Sequence, residues 1–116
     1  MNQLKSKLPF IWEVRRAEAE RILLELLAGE FSDVGRKWNV LITPWFLERG
    51  TQAEVKFIRG LKFAIVRLQG HNWEKEFPNL ATIKGVIMHE LLHLRFPGCG
   101  HLSEPFYSER FRLKIG

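Results

Sequence analysis

The sequence contains a single cysteine, Cys99, and no apolar run that approaches the ~20 residues of a membrane-spanning helix. One cysteine excludes an internal disulfide, which is typical of proteins from a reducing compartment. The first residues also lack the charged and then apolar pattern of a secretory signal. We therefore expect a cytoplasmic protein without a membrane partner.

Internal repeats, linkers and low-complexity segments are likewise absent, so we expect one domain over residues 1–116. A chain of 116 residues that is 46% hydrophobic can bury a modest core. Lys and Arg outnumber Asp and Glu by 18 to 13, which gives a net charge of +5. Because no segment concentrates these basic residues, the charge indicates at most a weak attraction to acidic partners such as nucleic acid.

The most informative stretch is residues 85–96, which contains His89-Glu90-x-x-His93 among apolar residues at helical spacing. Residues four apart lie one turn apart on the same face of a helix, so the two imidazoles could bind one metal ion. Glu90 is rotated by about 100° from His89 and could take a proton from a water bound there. The motif arises by chance in about one or two per cent of chains of this length. Its structural alternative is a pair of core histidines satisfied by hydrogen bonds.

A catalytic zinc ion needs a third protein ligand and keeps an open position for water. One proline and two glycines between residues 97 and 100 end the predicted helix and allow the chain to reverse. The reversal can bring His101 over the metal, so His101 is the predicted third ligand. Glu104 and Glu109 are alternative third ligands, because a carboxylate on a following helix could reach back.

The pattern of the whole chain predicts an α+β fold. An N-terminal helix at Phe10–Ala28 is followed by a connecting turn at residues 30–37 and by strands at residues 38–43, 51–59 and 61–68. The last two strands form a hairpin at Gly60, so the small three-stranded sheet is expected to be mostly antiparallel. Asn79 is a candidate N-cap for the metal-binding helix, and Arg95 near its end is expected to face solvent. A short C-terminal helix within residues 102–113 would place Phe106, Phe111 and Leu113 on its inner face.

The motif, followed by a glycine turn, His101 and aromatic residues, resembles the zincin metallopeptidases. Within these it is most similar to the small SprT-like and YgjP-like domains, in which a third histidine opens the next helix. Length and element order also resemble the minigluzincins. The resemblance covers the chain in outline and residues 86–109 in specific positions. It implies His89 and His93 as zinc ligands and Glu90 as general base, whereas the glutamate that gluzincins use as third ligand is replaced here by the nearer His101.

A zinc-dependent metallopeptidase is therefore the expected function, with a peptide or protein as substrate. In zincins an edge strand of the sheet binds the extended substrate, and here it would be one of the three predicted strands. Tyr107 is a candidate oxyanion stabiliser. Latency is a further expectation: the Cys99 thiolate, the segment at residues 103–116 or a self-associated copy could cover the site.

Two other classes stay open. Some small zinc-dependent endoribonucleases bind the metal through three histidines, and a basic chain suits RNA, but those enzymes lack a glutamate directly after the first histidine. A protease recruited to DNA, as SprT-like enzymes are, is a related alternative and predicts salt-sensitive DNA binding. The second class is a zinc-binding module without catalytic activity.

Overall fold

A computed structural model describes residues 10–70, 77–98, 100–101 and 103–115, excluding the side chains of residues 10–16 and of Arg59. Within these residues the chain forms four helices and a three-stranded sheet, which confirms the predicted α+β class. No helix in the described part of the chain is both long and apolar enough to cross a bilayer.

The N-terminal helix, α1 (Phe10–Ala28), has the predicted bounds. Its buried residues Ala19, Ile22, Leu23 and Leu26 recur at the spacing of one helix face. Residues 30–37 differ from the expected turn, because Ser32–Lys37 form the short helix α2.

Tertiary packing explains α2. Phe31 and Val34 are buried against the core. A Cβ atom at Gly35 would lie 2.8 Å from the carbonyl oxygen of Leu27, so only glycine lets α2 approach the backbone of α1 this closely. These contacts outweigh the low intrinsic stability of a six-residue helix, which the local sequence does not reveal.

The sheet contains β1 (Asn39–Trp45), β2 (Ala53–Ile58) and β3 (Phe63–Gln69) in the order β1-β3-β2. β2 and β3 form the predicted antiparallel hairpin through a 3-10 turn at Arg59–Leu61. β1 pairs with β3 in parallel, so the sheet is mixed. This order leaves β1 and β2 as the two edges, and β2 is the edge that contacts the helix at residues 80–95.

The helix that carries the His-Glu-x-x-His motif, α3 (Leu80–Arg95), begins as predicted at Asn79, whose side-chain Oδ1 accepts a hydrogen bond from the Thr82 amide at 2.9 Å. One face of α3 enters the core through four fully buried residues: Ile83, Ile87, Leu91 and Leu94. The core therefore fixes the rotation of α3, and with it the direction in which the opposite face points.

The last helix, α4 (Phe106–Leu113), is shorter than the predicted segment. Phe106 is fully buried and Leu113 packs at the edge of the core, as predicted. Phe111 does not follow the prediction, because its side chain is 78% exposed. Only the first turn of α4 thus reaches the core deeply.

Candidate metal centre

α3 positions the first two histidines. His89 and His93 lie one turn apart on the face that the core leaves free, and both are half-buried. Their ring centroids are 5.1 Å apart. This arrangement follows directly from the helical spacing of the motif.

His101 joins them from the loop after α3. The loop reverses at Gly98, whose φ of +83° is favourable only for glycine. His101 Nε2 lies 3.2 Å from His89 Nε2 and 3.0 Å from His93 Nε2. The three imidazoles each offer a ligand atom, and these atoms lie within 4.8 Å of one another.

This geometry suits a metal ion better than a hydrogen-bonded cluster. An imidazole nitrogen carries either one proton or one lone pair, so it forms one well-directed hydrogen bond. His101 Nε2 is nevertheless within hydrogen-bond distance of two other ring nitrogens. Zinc–nitrogen bonds of about 2.0–2.1 Å would separate two tetrahedral ligand nitrogens by about 3.3–3.4 Å, close to the separations in the structure. The three histidines could therefore hold a metal ion.

α4 contacts the three histidines through the aromatic ring of Phe106. The Phe106 ring lies 5.7 Å from the His89 ring, 4.9 Å from the His93 ring and 5.4 Å from the His101 ring, measured between centroids. Because Phe106 is fully buried, core packing holds its ring rigidly, and all three imidazoles pack against this apolar surface.

The environment keeps His93 neutral. Burial, together with smaller contributions from the neighbouring His89 and His101, lowers the pKa of His93 to about 4. A neutral imidazole has the free lone pair that a metal ligand needs. His93 is therefore ready to bind a cation at neutral pH.

The pKa of Glu90 is shifted in the opposite direction, upwards. Its side chain lies at the border of the core and is only 6% exposed. Burial raises the pKa of Glu90 to about 7, with a smaller contribution from the negative charge of Glu54 on β2. The sequence did not single out Glu54, because the strand order that brings β2 beside α3 depends on long-range packing.

An open groove crosses the site. One part, of about 550 Å³, lies between the N-terminal half of α3 and the start of β2. A second part, of about 360 Å³, lies between β2 and the loop after α3. His89 and Glu90 line both parts, so the two parts adjoin at these residues, and all three histidines line the second part.

The other predicted site residues lie apart from the cluster. Glu104 accepts a hydrogen bond from the Ser108 hydroxyl, and Glu109 is bound by Arg95 and Arg112. The described residues that line the groove do not include Tyr107, whose side chain is 45% exposed. Its role as an oxyanion stabiliser stays a prediction. Cys99 lies outside the described residues.

The expectation that Arg95 faces solvent was wrong, since its side chain is 13% exposed and makes several hydrogen bonds. Its partners lie elsewhere in the chain and give no local signal in the sequence.

Comparison of the chain with protein-family models, with curated protein sequences and with solved structures gave no match. The functional argument therefore depends on the geometry of the residues.

Proposed function

We propose that the chain is a zinc-dependent metallopeptidase, in which His89, His93 and His101 bind the metal and Glu90 is the general base. The observation that carries the proposal is the convergence of three imidazole nitrogens beside a buried carboxyl group with a raised pKa, on a groove open at the surface. The proposed location is the cytoplasm, as expected from the single cysteine.

The donor set supports zinc as the metal. Imidazole nitrogens suit zinc, and three of them leave the fourth tetrahedral position open, as in catalytic sites. Bound zinc would act as a Lewis acid on a substrate carbonyl and lower the pKa of a water molecule towards ~7.

Glu90 supplies the proton transfer. In the metal-free protein burial raises the pKa of Glu90 to about 7, and a nearby cation would favour the carboxylate that accepts a proton. In peptide hydrolysis it would accept the proton of the attacking water and deliver it to the departing amine. Its position next to His89 in sequence keeps both events beside the metal ligands.

The groove supports an extended peptide as substrate. Ala53, Glu54 and Val55 of β2 line the same part of the groove as the three histidines. β2 is an edge strand, and within the described residues its only strand partner is β3. An extended chain could therefore pair with its open edge. Because the two parts of the groove adjoin at His89 and Glu90, we propose cleavage at internal peptide bonds.

The test combines metal analysis with cleavage of a fluorogenic peptide library by the zinc-loaded protein. We expect Glu90→Gln to keep one zinc ion per chain and to lose about 10²–10⁴-fold in cleavage rate, the usual contribution of a general base. His93→Ala should lose both zinc and activity. The matched control is Glu48→Gln, because Glu48 is an exposed acid outside the lining of the groove.

Three results would change the assignment. RNA cleavage that survives Glu90→Gln, without proteolysis by the wild type, would indicate the endoribonuclease. Full zinc occupancy without turnover of any peptide would indicate a binding module. A wild-type protein that binds no zinc would refute the proposal.

A further inference from the structure

A cluster of charged side chains lies at the C-terminal end of α3, where this helix meets α2 and α4. Arg95 donates hydrogen bonds to both carboxylate oxygens of Asp33, at 2.9 and 2.8 Å, and to the carbonyl oxygen of Glu30 at 2.7 Å. It donates another to Glu109 at 2.9 Å. Its guanidinium carbon lies 4.4 Å from the centroid of the Phe31 ring. One side chain thus connects the α1–α2 turn, α3 and α4.

A second arginine strengthens the connection to α4. Arg112 donates to Glu109 at 2.7 and 2.8 Å and reaches Glu30 at 3.2 Å. Hydrogen bonds and charge from Arg112 and Arg95 hold the pKa of Glu109 below its usual range. Glu109 is therefore ionised at neutral pH and held between two guanidinium groups.

α4 needs this support. A helix of eight residues is unstable alone, and only its first turn is deeply buried, through Phe106. The ion pair of Glu109 joins α4 to Arg95 of α3, and the ion pair of Arg112 joins the last turn of α4 to Glu30 in the α1–α2 turn. The orientation of α4 is therefore determined at two points.

α4 in turn holds the third histidine. Arg110 Nη1 donates a hydrogen bond to the backbone carbonyl of His101 at 3.1 Å. His101 is exposed and follows a glycine-containing loop, so its imidazole depends on such contacts for a fixed position. The Phe106 ring provides the other contact, 5.4 Å from the His101 ring.

We propose that Arg95 and Glu109 are positioning residues of the metal centre, which fix α4 so that Arg110 and Phe106 hold His101 in place before the metal binds. This inference rests on the metal site of the proposed function and is independent of the reaction performed there. It predicts that metal affinity depends on side chains that do not contact the metal, as for other residues that orient ligands.

The experiment measures zinc affinity by competition with a chromophoric chelator, and the visible spectrum of the Co²⁺-loaded protein. Glu109→Gln removes the charge that joins Arg95 to Arg112, and we expect it to weaken zinc binding about tenfold. The cobalt bands should lose intensity, because an imidazole that leaves the site is replaced by water. The control is Glu25→Gln, which makes the same chemical change in the exposed Arg21–Glu25 pair within α1 and should change neither quantity.

Arg110→Met separates positioning from folding. The Nε of Arg110 is buried without a hydrogen-bond partner in the described part of the chain, so methionine removes an unsatisfied polar group and keeps much of the apolar stem. We expect unchanged or higher thermal stability together with about tenfold weaker zinc binding. Ile42→Val on β1, which should weaken the core without touching the cluster, provides the reverse control, with lower stability and unchanged affinity.

If Glu109→Gln and Arg110→Met both keep the zinc affinity and the cobalt spectrum of the wild type, the inference is overturned. The proposed metal site would be unaffected by that result. Absence of zinc binding by the wild type would instead refute the proposed function, and this inference with it.

Discussion

Replacing the proposed general base should stabilise the metal-free protein. Glu90 is 6% exposed, and its pKa is raised from an ordinary value of 4.5 to about 7. A carboxyl group with a raised pKa favours the fold while it is protonated and opposes the fold once it ionises. The stability that it contributes is therefore present below pH 4.5 and is lost as the pH rises to about 7.

The magnitude follows from linkage. Each pH unit between the two pKa values changes the free energy of unfolding by about 1.4 kcal/mol, so ionised Glu90 destabilises the fold by about 3 kcal/mol above pH 7. Glutamine has nearly the same shape and stays neutral. We expect metal-free Glu90→Gln to match the wild type within about 0.5 kcal/mol near pH 4.5 and to exceed it by about 2–3 kcal/mol at pH 8.

The assay is urea unfolding of chelator-treated wild type and Glu90→Gln at a series of pH values. The pKa of His93 is lowered from 6.5 to about 4, so the stability that neutral His93 contributes is lost as the pH falls from 6.5 to about 4. Its effect is present in both proteins and cancels in the difference. Glu48→Gln, at an exposed position, should change stability by less than about 0.5 kcal/mol at every pH.

The reasoning would be refuted by a stability difference between Glu90→Gln and wild type that is independent of pH. Lower stability of Glu90→Gln at pH 8 would refute it as well. Saturating zinc should shrink the difference, because a nearby cation favours the carboxylate.

Two further predictions concern the groove and the metal. Gln69 is 4% exposed, and its side-chain amide forms hydrogen bonds with the backbone of Leu47, Glu48 and Thr51 in the loop before β2. Gln69→Ala should therefore lower the free energy of unfolding by about 2–3 kcal/mol, measured by urea titration. An unchanged unfolding midpoint would contradict this prediction. Zinc at about 100 times its dissociation constant should stabilise the wild type by about 2.7 kcal/mol. The measurement is a shift of the thermal unfolding midpoint that EDTA reverses. The same shift in His101→Ala would show that His101 is not a ligand.

The sequence predicted those features that depend on neighbouring residues. His89 and His93 share a face because helix geometry relates positions four apart. The Asn79 cap acts over three residues, and the β2–β3 hairpin forms around one short turn. Each of these features follows from residues close in sequence and requires no long-range contact.

Long-range packing determined the features that the sequence left open or predicted wrongly. The sheet places β1 beside β3 in parallel, and this strand order leaves β2 as the edge beside the histidines. α2 replaces a turn because Phe31 and Val34 reach the core. The Arg95 side chain is mostly buried and bonds Asp33, 62 positions away, and neither residue carries a pattern that points to the other.

α3 holds a buried carboxyl group directly beside a row of apolar core residues. It keeps Glu90 in a desolvated position and His93 neutral, both of which weaken the metal-free fold at some pH. The same helix buries Ile83, Ile87, Leu91 and Leu94, and each such side chain contributes about 1.5–3 kcal/mol of hydrophobic stabilisation. Because that row outweighs the cost of one buried carboxyl group, the core can hold the reactive groups in a strained electrostatic state. A metal ion would then relieve that state on binding, so the affinity of the site and the instability of the metal-free fold have the same physical origin.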